Sequence, residues 1–200
     1  MRFDLKQTAA PAIEPITLVE AKTHLRVDIT DDDSLITALI SAAREACEAF
    51  IHGYLITQTF ELSLYEFPDD ASPIKIQAEP LQSVQSLAYT DWLNAVHTMT
   101  VNTDFLVDLT EPPALVLPPN QIWPGATLWP VAPIKVEITV GFGSTEASVP
   151  FLYRAGILMA IAHWYENREA IATSGAVPKE VPMGSQWCWT LGGRYWHGRP

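Results

Sequence analysis

Apolar residues recur at helical spacing near the start of the chain and at strand spacing through its middle. Leu18, Ala21 and Leu25 lie three and four apart behind Thr17 and Glu20, which have the separation of a capping box, in which hydroxyl and carboxylate satisfy each other's free amides. The spacing predicts a short helix over residues 18–26. A longer stripe follows: Leu35, Ile36, Leu39, Ile40, Ala43, Ala46, Cys47, Phe50 and Ile51, stopping at Gly53, where a glycine suits a helix end. Asp31, Asp32, Asp33 and Ser34 precede it and supply N-cap candidates, with negative charge where the helix dipole favours it. The three aspartates lack the alternating ligands, glycine and closing glutamate of a calcium loop, so capping is the preferred reading.

From Thr57 the period changes to two, with Phe60, Leu62 and Leu64 alternating against Glu61, Ser63 and Tyr65. Further strands are predicted over 74–78, 84–90, 96–101, 105–109, 115–117 and 134–142, several bounded by proline, Asp or Asn turn signals. Residues 118–133 hold Pro118, Pro119, Pro124, Pro130 and Pro133 with Trp123 and Trp129, and so predict a long, stiff loop. After Pro150, residues 151–165 are apolar nearly all round, Arg154 and His163 being the strongly polar members. Such a helix is buried on most sides, either in its own core or between subunits.

These elements predict an α+β chain: a small helical core of three main helices, with an antiparallel β-rich insertion between the second and third. Residues 1–15, with two prolines and no periodicity, read as an arm ordered by a neighbour. Residues 16–53 and 149–176 read as the helical core, 54–148 as the insertion, and 177–200 as an extended C-terminal tail. That tail carries Trp187, Trp189, Tyr195 and Trp196 among glycines and prolines, and apolar groups on a turn-rich segment need a partner surface.

Composition narrows the function. Twelve basic against twenty-three acidic residues give a formal charge of −11, which repels phosphate and argues against sequence reading or tight wrapping of nucleic acid. The charge still suits an acidic wall past which DNA slides, although solubility is the commoner reason for it. No apolar run of about 18 residues is present and the first residues lack a signal-peptide stretch, so a cytoplasmic setting and no membrane partner are expected. Cys47 and Cys188 lie far apart with no close Cys or His, which indicates neither a zinc site nor a disulfide framework.

Catalytic signals are sparse. His163, Glu166 and Glu169 share one helical face and open the alternative of a small hydrolase or metal-dependent enzyme, but Arg168 lies among them and a structural network is preferred. No nucleophile elbow, phosphate loop or dinucleotide fingerprint occurs. His24, His52, His97 and His197 have no companion at ligand spacing. Trp123 and Trp129, with Trp92, open a second alternative, a carbohydrate-binding platform on the β region, against which protein contact is preferred. No catalytic, cofactor or metal residues are therefore assigned, and no cofactor is expected.

Three stretches, in order, resemble the head-tail connector family of tailed bacteriophages, also called head-completion or adaptor proteins and found in gene transfer agents. Residues 16–28, opening Ile16, Thr17, Leu18, Val19, Glu20 and closing Val27, Asp28, are similar to the family's first helix and lead to the acid-capped second helix. Residues 55–62, Leu55 through Leu62, resemble the strand entry that follows it. Val149 and Pro150 lead into a helix ending His163, Trp164, Tyr165, Glu166, Asn167, Arg168, Glu169, the third match. The resemblance implies a non-enzymatic virion structural protein, assembled in the bacterial host cytoplasm, that forms a ring of about a dozen copies below the portal. Its implied partners are the portal protein, neighbouring copies, a tail-side stopper or tail-completion protein, and double-stranded DNA in transient passage. By analogy the tail docks on the portal through Trp187, Trp189, Arg194, Tyr195, Trp196 and Arg199. Phe151, Leu152, Leu158, Ile161, Trp164 and Tyr165 are the expected intersubunit residues of the apolar helix. The family often continues into a proline-led final helix, and the glycine- and tryptophan-rich end of this chain departs from that.

Overall fold

The computed structural model describes residues 3–110, 112–167 and 183–196, with side chains in the last segment over 184–193. The chain divides into two compact units, one formed by the segment up to Ala12 with Thr57–Phe142, the other by Ile13–Ile56 with the segment from Gly143.

The first unit is β. A five-stranded sheet has the order β1 (Phe3–Ala9), β2 (Gln58–Leu64), β8 (Ile134–Val140), β4 (Leu81–Thr90), β5 (Val96–Met99), every neighbour antiparallel. A three-stranded sheet runs β3 (Ile74–Lys75), β7 (Ala114–Val116), β6 (Leu106–Asp108). Alternation sets the register: Phe60, Leu62 and Leu64 pair with Ile138, Val136 and Ile134, and all six are buried on one face. In β4 the buried residues Leu81, Val84 and Leu87 are spaced by three, which no regular strand turns to one side. Register shifts between Leu81 and Ser83 and between Val84 and Ser86 each accommodate an extra residue and return the next apolar side chain to the buried face. That spacing is why the period-two pattern placed the start of this strand at Val84.

Residues 1–15, expected as an arm, instead contribute β1, which pairs with β2 over six register positions. Their weak patterning reflects a strand whose side chains are exposed on both faces except for half-buried Leu5.

The second unit is helical: α1 (Leu18–Leu25), α2 (Asp33–Ile51), α3 (Phe151–Glu166) and α4 (Met183–Trp196). The capping box of α1 forms as predicted, with Glu20 N–H donating to Thr17 Oγ1 and Thr17 N–H donating to Glu20 Oε2. The buried stripe of α2 is Ile36, Ile40, Ala43 and Cys47, against Ala21 of α1 and Ile157, Ala160 and Ile161 of α3 in the same core. Asp32 does stand at the N-cap of α2, but its side chain makes no capping bond; it accepts from the Tyr165 hydroxyl of α3, while Asp33 meets Lys22 of α1 at 2.6 Å. The acids thus tie helices together. The expected extended tail is corrected over Met183–Trp196, which form a helix; helicity fading near Gly175 lies outside the described residues.

Candidate functional site

Among the described residues no group of three or more His, Cys, Asp or Glu is placed to hold a metal, and no helix is long and apolar enough to cross a membrane. Among the described residues the His163 ring meets Asn167, whose Nδ2 lies 3.4 Å from its Nδ1, and not Glu166, which is exposed; Glu169 lies outside the described residues. Cys47 is buried, and burial pushes its thiol well above the ordinary cysteine range, so it is no nucleophile.

The densely ionic cluster around Arg44 is structural. Arg44 of α2, buried, directs Nε to Glu14 Oε2 and Nη1 to Glu48 Oε2, both at 2.8 Å, while Glu48 Oε1 accepts the Leu55 amide at 2.9 Å. Burial works against the Arg44 charge, but Glu48 and Glu14 outweigh it and raise its pKa; burial pushes the Glu48 carboxyl up despite the amide and guanidinium. This network fastens the chain before α1 and the chain after α2 to the middle of α2.

The aromatic residues separate into anchors and exposed groups. Trp123 is 4% exposed, stacks on Phe67 at 5.6 Å and 9°, and donates Nε1–H to the Ser72 carbonyl at 3.0 Å. It is core, not a platform. Trp129 is 40% exposed and, with Trp92, sits where the loop before β8 meets the β4–β5 turn: Trp92 N–H donates to Thr127 O and Trp129 N–H to Thr90 O, both at 3.0 Å. Asp91 stiffens that turn by accepting from Leu93 and Ala95 amides, and its Oδ2 lies 2.9 Å from Nε2 of His97, which stacks on Tyr89. The His97 contact and these amides hold the Asp91 carboxyl below the usual range. His97 therefore has a partner that spacing along the chain did not reveal, because the hairpin brings it there.

Of the residues expected at a docking tail, Trp187 is 64% exposed, but Trp189 is 1% exposed and belongs to the core of its unit, its ring 5.6 Å from that of Phe50. Arg194, Tyr195 and Trp196 fall in α4 beyond the described side chains, and Arg199 lies outside the described residues. Of the expected intersubunit residues, Phe151 is 77% exposed and Leu152, Leu158, Trp164 and Tyr165 are partly exposed, whereas Ile161 is fully buried. Met159 of α3 is exposed as well and faces Gly184 of α4, where an added Cβ would lie 3.5 Å from its sulfur. Phe151 and Met159 on α3 and Trp187 on α4 leave exposed apolar groups on both helices.

The family model for phage gp6-like head-tail connector proteins matches residues 15–103. No curated protein matches the sequence. Solved structures share the fold, among them three from gene transfer agent particles. The neck of an empty gene transfer agent particle computed with C6 symmetry contains a chain 20% identical, with TM-score 0.71, covering 93% of this chain and 94% of that one. The virion of a native gene transfer agent particle gives 20% identity, TM-score 0.71, and coverage of 92% and 94%. The neck of a native gene transfer agent particle computed with C12 symmetry gives 21%, 0.68, 93% and 94%.

Proposed function

We propose that this chain, whose residues 15–103 match the model of phage gp6-like head-tail connector proteins, is a member of that family and a structural subunit of the head-tail junction. In this reading about a dozen copies form a ring below the portal, join capsid to tail and leave a channel through which double-stranded DNA passes. The observation that carries it is a fold shared over 92–93% of the chain, including both units, with proteins of gene transfer agent necks and virions. Role and geometry agree: a ring of like subunits needs two different complementary faces on each copy, and this chain exposes apolar groups on α3 and α4 as well as on its β unit. A formal charge of −11 suits a lumen that does not hold the phosphate backbone.

Within that role, Phe151, Leu152, Leu158, Trp164 and Tyr165 pack against a neighbouring copy, and Trp187 anchors α4 on the portal. A tail-side stopper or tail-completion protein binds the opposite end. Assembly takes place in the host cytoplasm, and the finished subunit belongs to the particle.

The test is co-elution of the full chain with its portal, followed by light scattering. Because Trp189 and Ser185 of α4 are buried in the helical unit, the informative variant is Trp187→Ala and not removal of everything after Ala176. Stoichiometric binding by the wild type that Trp187→Ala weakens supports both role and anchor. Equal binding by both keeps the role and moves the anchor, and no binding by the folded wild type rejects the role.

A further inference from the structure

The five-stranded sheet ends in two different edges, β1 and β5, and neither has a second strand beside it among the described residues. An unpaired edge presents a row of amide and carbonyl groups that templates another strand unless it is blunted by proline, a bulge or cover. Neither strand contains proline, and the one register shift of β1, between Gln7 and Ala9, falls at its end and leaves Phe3–Gln7 in regular register. β1 is seven residues long and gains little from burial in its own subunit, since all but Leu5 are exposed and backbone pairing with β2 is its principal tie. Beside β5 lies an open groove of about 550 Å³ whose lining takes in all four β5 residues, Val96–Met99, with Tyr89 of β4, Asp104 and the loop residues Gln121 and Ile122. Successive residues of a strand point to opposite faces, so a groove touched by four in a row runs along the strand's edge. Backbone groups open to such a groove are free to pair with an added strand.

We propose that β1 of one copy seats in the β5 groove of the next, joining the five-stranded sheets of neighbouring subunits into one continuous wall. The inference rests on the ring reading above and specifies one of its interfaces. Strand sense selects the occupant. Four antiparallel steps separate β1 from β5, so the two run in the same direction. Copies related by rotation about an axis along the strands keep that direction, and β1 meets β5 as a parallel pair, evenly hydrogen-bonded. The contact is heterologous, one edge meeting the other, which is what a closed ring requires and a two-fold dimer does not. Charge agrees: Lys6 is the cation of β1, and Asp104 lies in the wall of the β5 groove.

The test uses full-length protein carrying Lys6→Cys and Thr98→Cys, both positions exposed, assembled with the portal and treated with a short bis-maleimide; the native Cys47 and Cys188 are buried. The double variant should give a ladder rising one subunit at a time to the full ring. Each single variant alone should give none, and a mixture of the two should give dimers. A ring of wild-type mass that yields no ladder overturns the edge pairing and leaves the connector role intact. Cross-linking of Thr98→Cys to the portal or another particle protein gives the groove a different occupant and likewise overturns it. Failure of the wild type itself to form a ring removes the connector role, and the edge pairing with it.

Discussion

The indole of Trp189 occupies the space that a side chain on Gly156 would need: a Cβ there would lie 2.4 Å from Nε1 and 2.6 Å from Cδ1. The same exchange recurs across the two helices, where a Cβ on Gly192 of α4 would lie 2.6 Å from Cε1 of Tyr153 on α3. Each helix supplies one notch and one ring. Alanine at Gly156 improves helix propensity by about 1 kcal/mol, but overpacking of a tight core costs about 1–3 kcal/mol. Gly156→Ala and Gly192→Ala are therefore expected to lower the thermal midpoint and shift tryptophan emission to the red as α4 loosens. An unchanged midpoint and emission for both would mean that α4 does not pack on α3 in this way.

Trp189 Nε1 and Ser185 Oγ are buried with no hydrogen-bond partner among the described residues. A buried donor left unpaired costs about 1–3 kcal/mol. Trp189→Phe keeps an aromatic ring beside Phe50 and removes the donor, so it should cost clearly less than Trp189→Ala, for which about 3–5 kcal/mol is expected. Chemical denaturation of the two variants reads the difference directly, and equal losses would assign the stability to the indole nitrogen instead of to ring packing.

Removing Arg44 strands the carboxylates of Glu14 and Glu48, both within 2.8 Å of it. Breaking a buried pair from one side costs about 3–5 kcal/mol. Arg44→Met should show a loss of that order in denaturant unfolding, and Arg44→Met with Glu48→Gln should recover most of it, because glutamine neutralises the stranded charge and still accepts the Leu55 amide. A single variant within about 0.5 kcal/mol of wild type, the range of unremarkable surface changes, would show the network to be idle.

The helices α1 and α2 and the strand β2 were legible in the chain because each buries one face and repeats its apolar residues at the matching period, and α3 was legible as a long, almost uninterrupted apolar run after Pro150. β1 was not, since a strand exposed on both faces carries no alternation of burial. α4 was hidden by its composition. Gly184, Gly192, Gly193 and four aromatic residues within 187–196 read as a turn-rich tail, yet Gly192 is a notch for Tyr153 and Gly184 faces Met159. Which tryptophans are anchors was equally closed to a linear reading, because Trp123 and Trp129 share proline-rich flanks and differ only in what lies across from them. The ends of the apolar helix were well placed, but Ile161 turned inward where an interface residue was expected.

Glu20 gives the acid limb of stability a specific contributor. Partial burial raises its pKa, but hydrogen bonds from the Thr17 amide and hydroxyl and the Arg154 guanidinium outweigh it, and the carboxyl is held below its ordinary value of 4.5. A carboxyl depressed on folding stabilises the folded state fully above its unfolded pKa and loses that contribution as pH falls through the folded one. The stability difference between wild type and Glu20→Gln should therefore be level from neutrality to about pH 5 and shrink below the ordinary carboxylate range. Denaturant titrations at a series of pH values measure it; a difference that grows in acid would reverse the sign of the coupling.

Trp123 and Trp129 lie six residues apart on one loop and should behave as opposites. Trp123 fills the space beside Phe67 and bonds Ser72, so Trp123→Ala opens a cavity and leaves a carbonyl without its donor, at about 3–5 kcal/mol by the usual cost of aromatic truncation. Trp129 is 40% exposed, and Trp129→Ala should stay within about 0.5 kcal/mol of wild type, since its backbone amide and not its ring joins the loop to Thr90. Trp123→Ala should not alter the response of tryptophan emission to added oligosaccharides, because a ring 4% exposed and stacked on Phe67 offers no face to a sugar. Saturable quenching by a glycan that Trp123→Ala abolishes, in a protein that stays folded, would overturn this assignment and make the loop a binding platform.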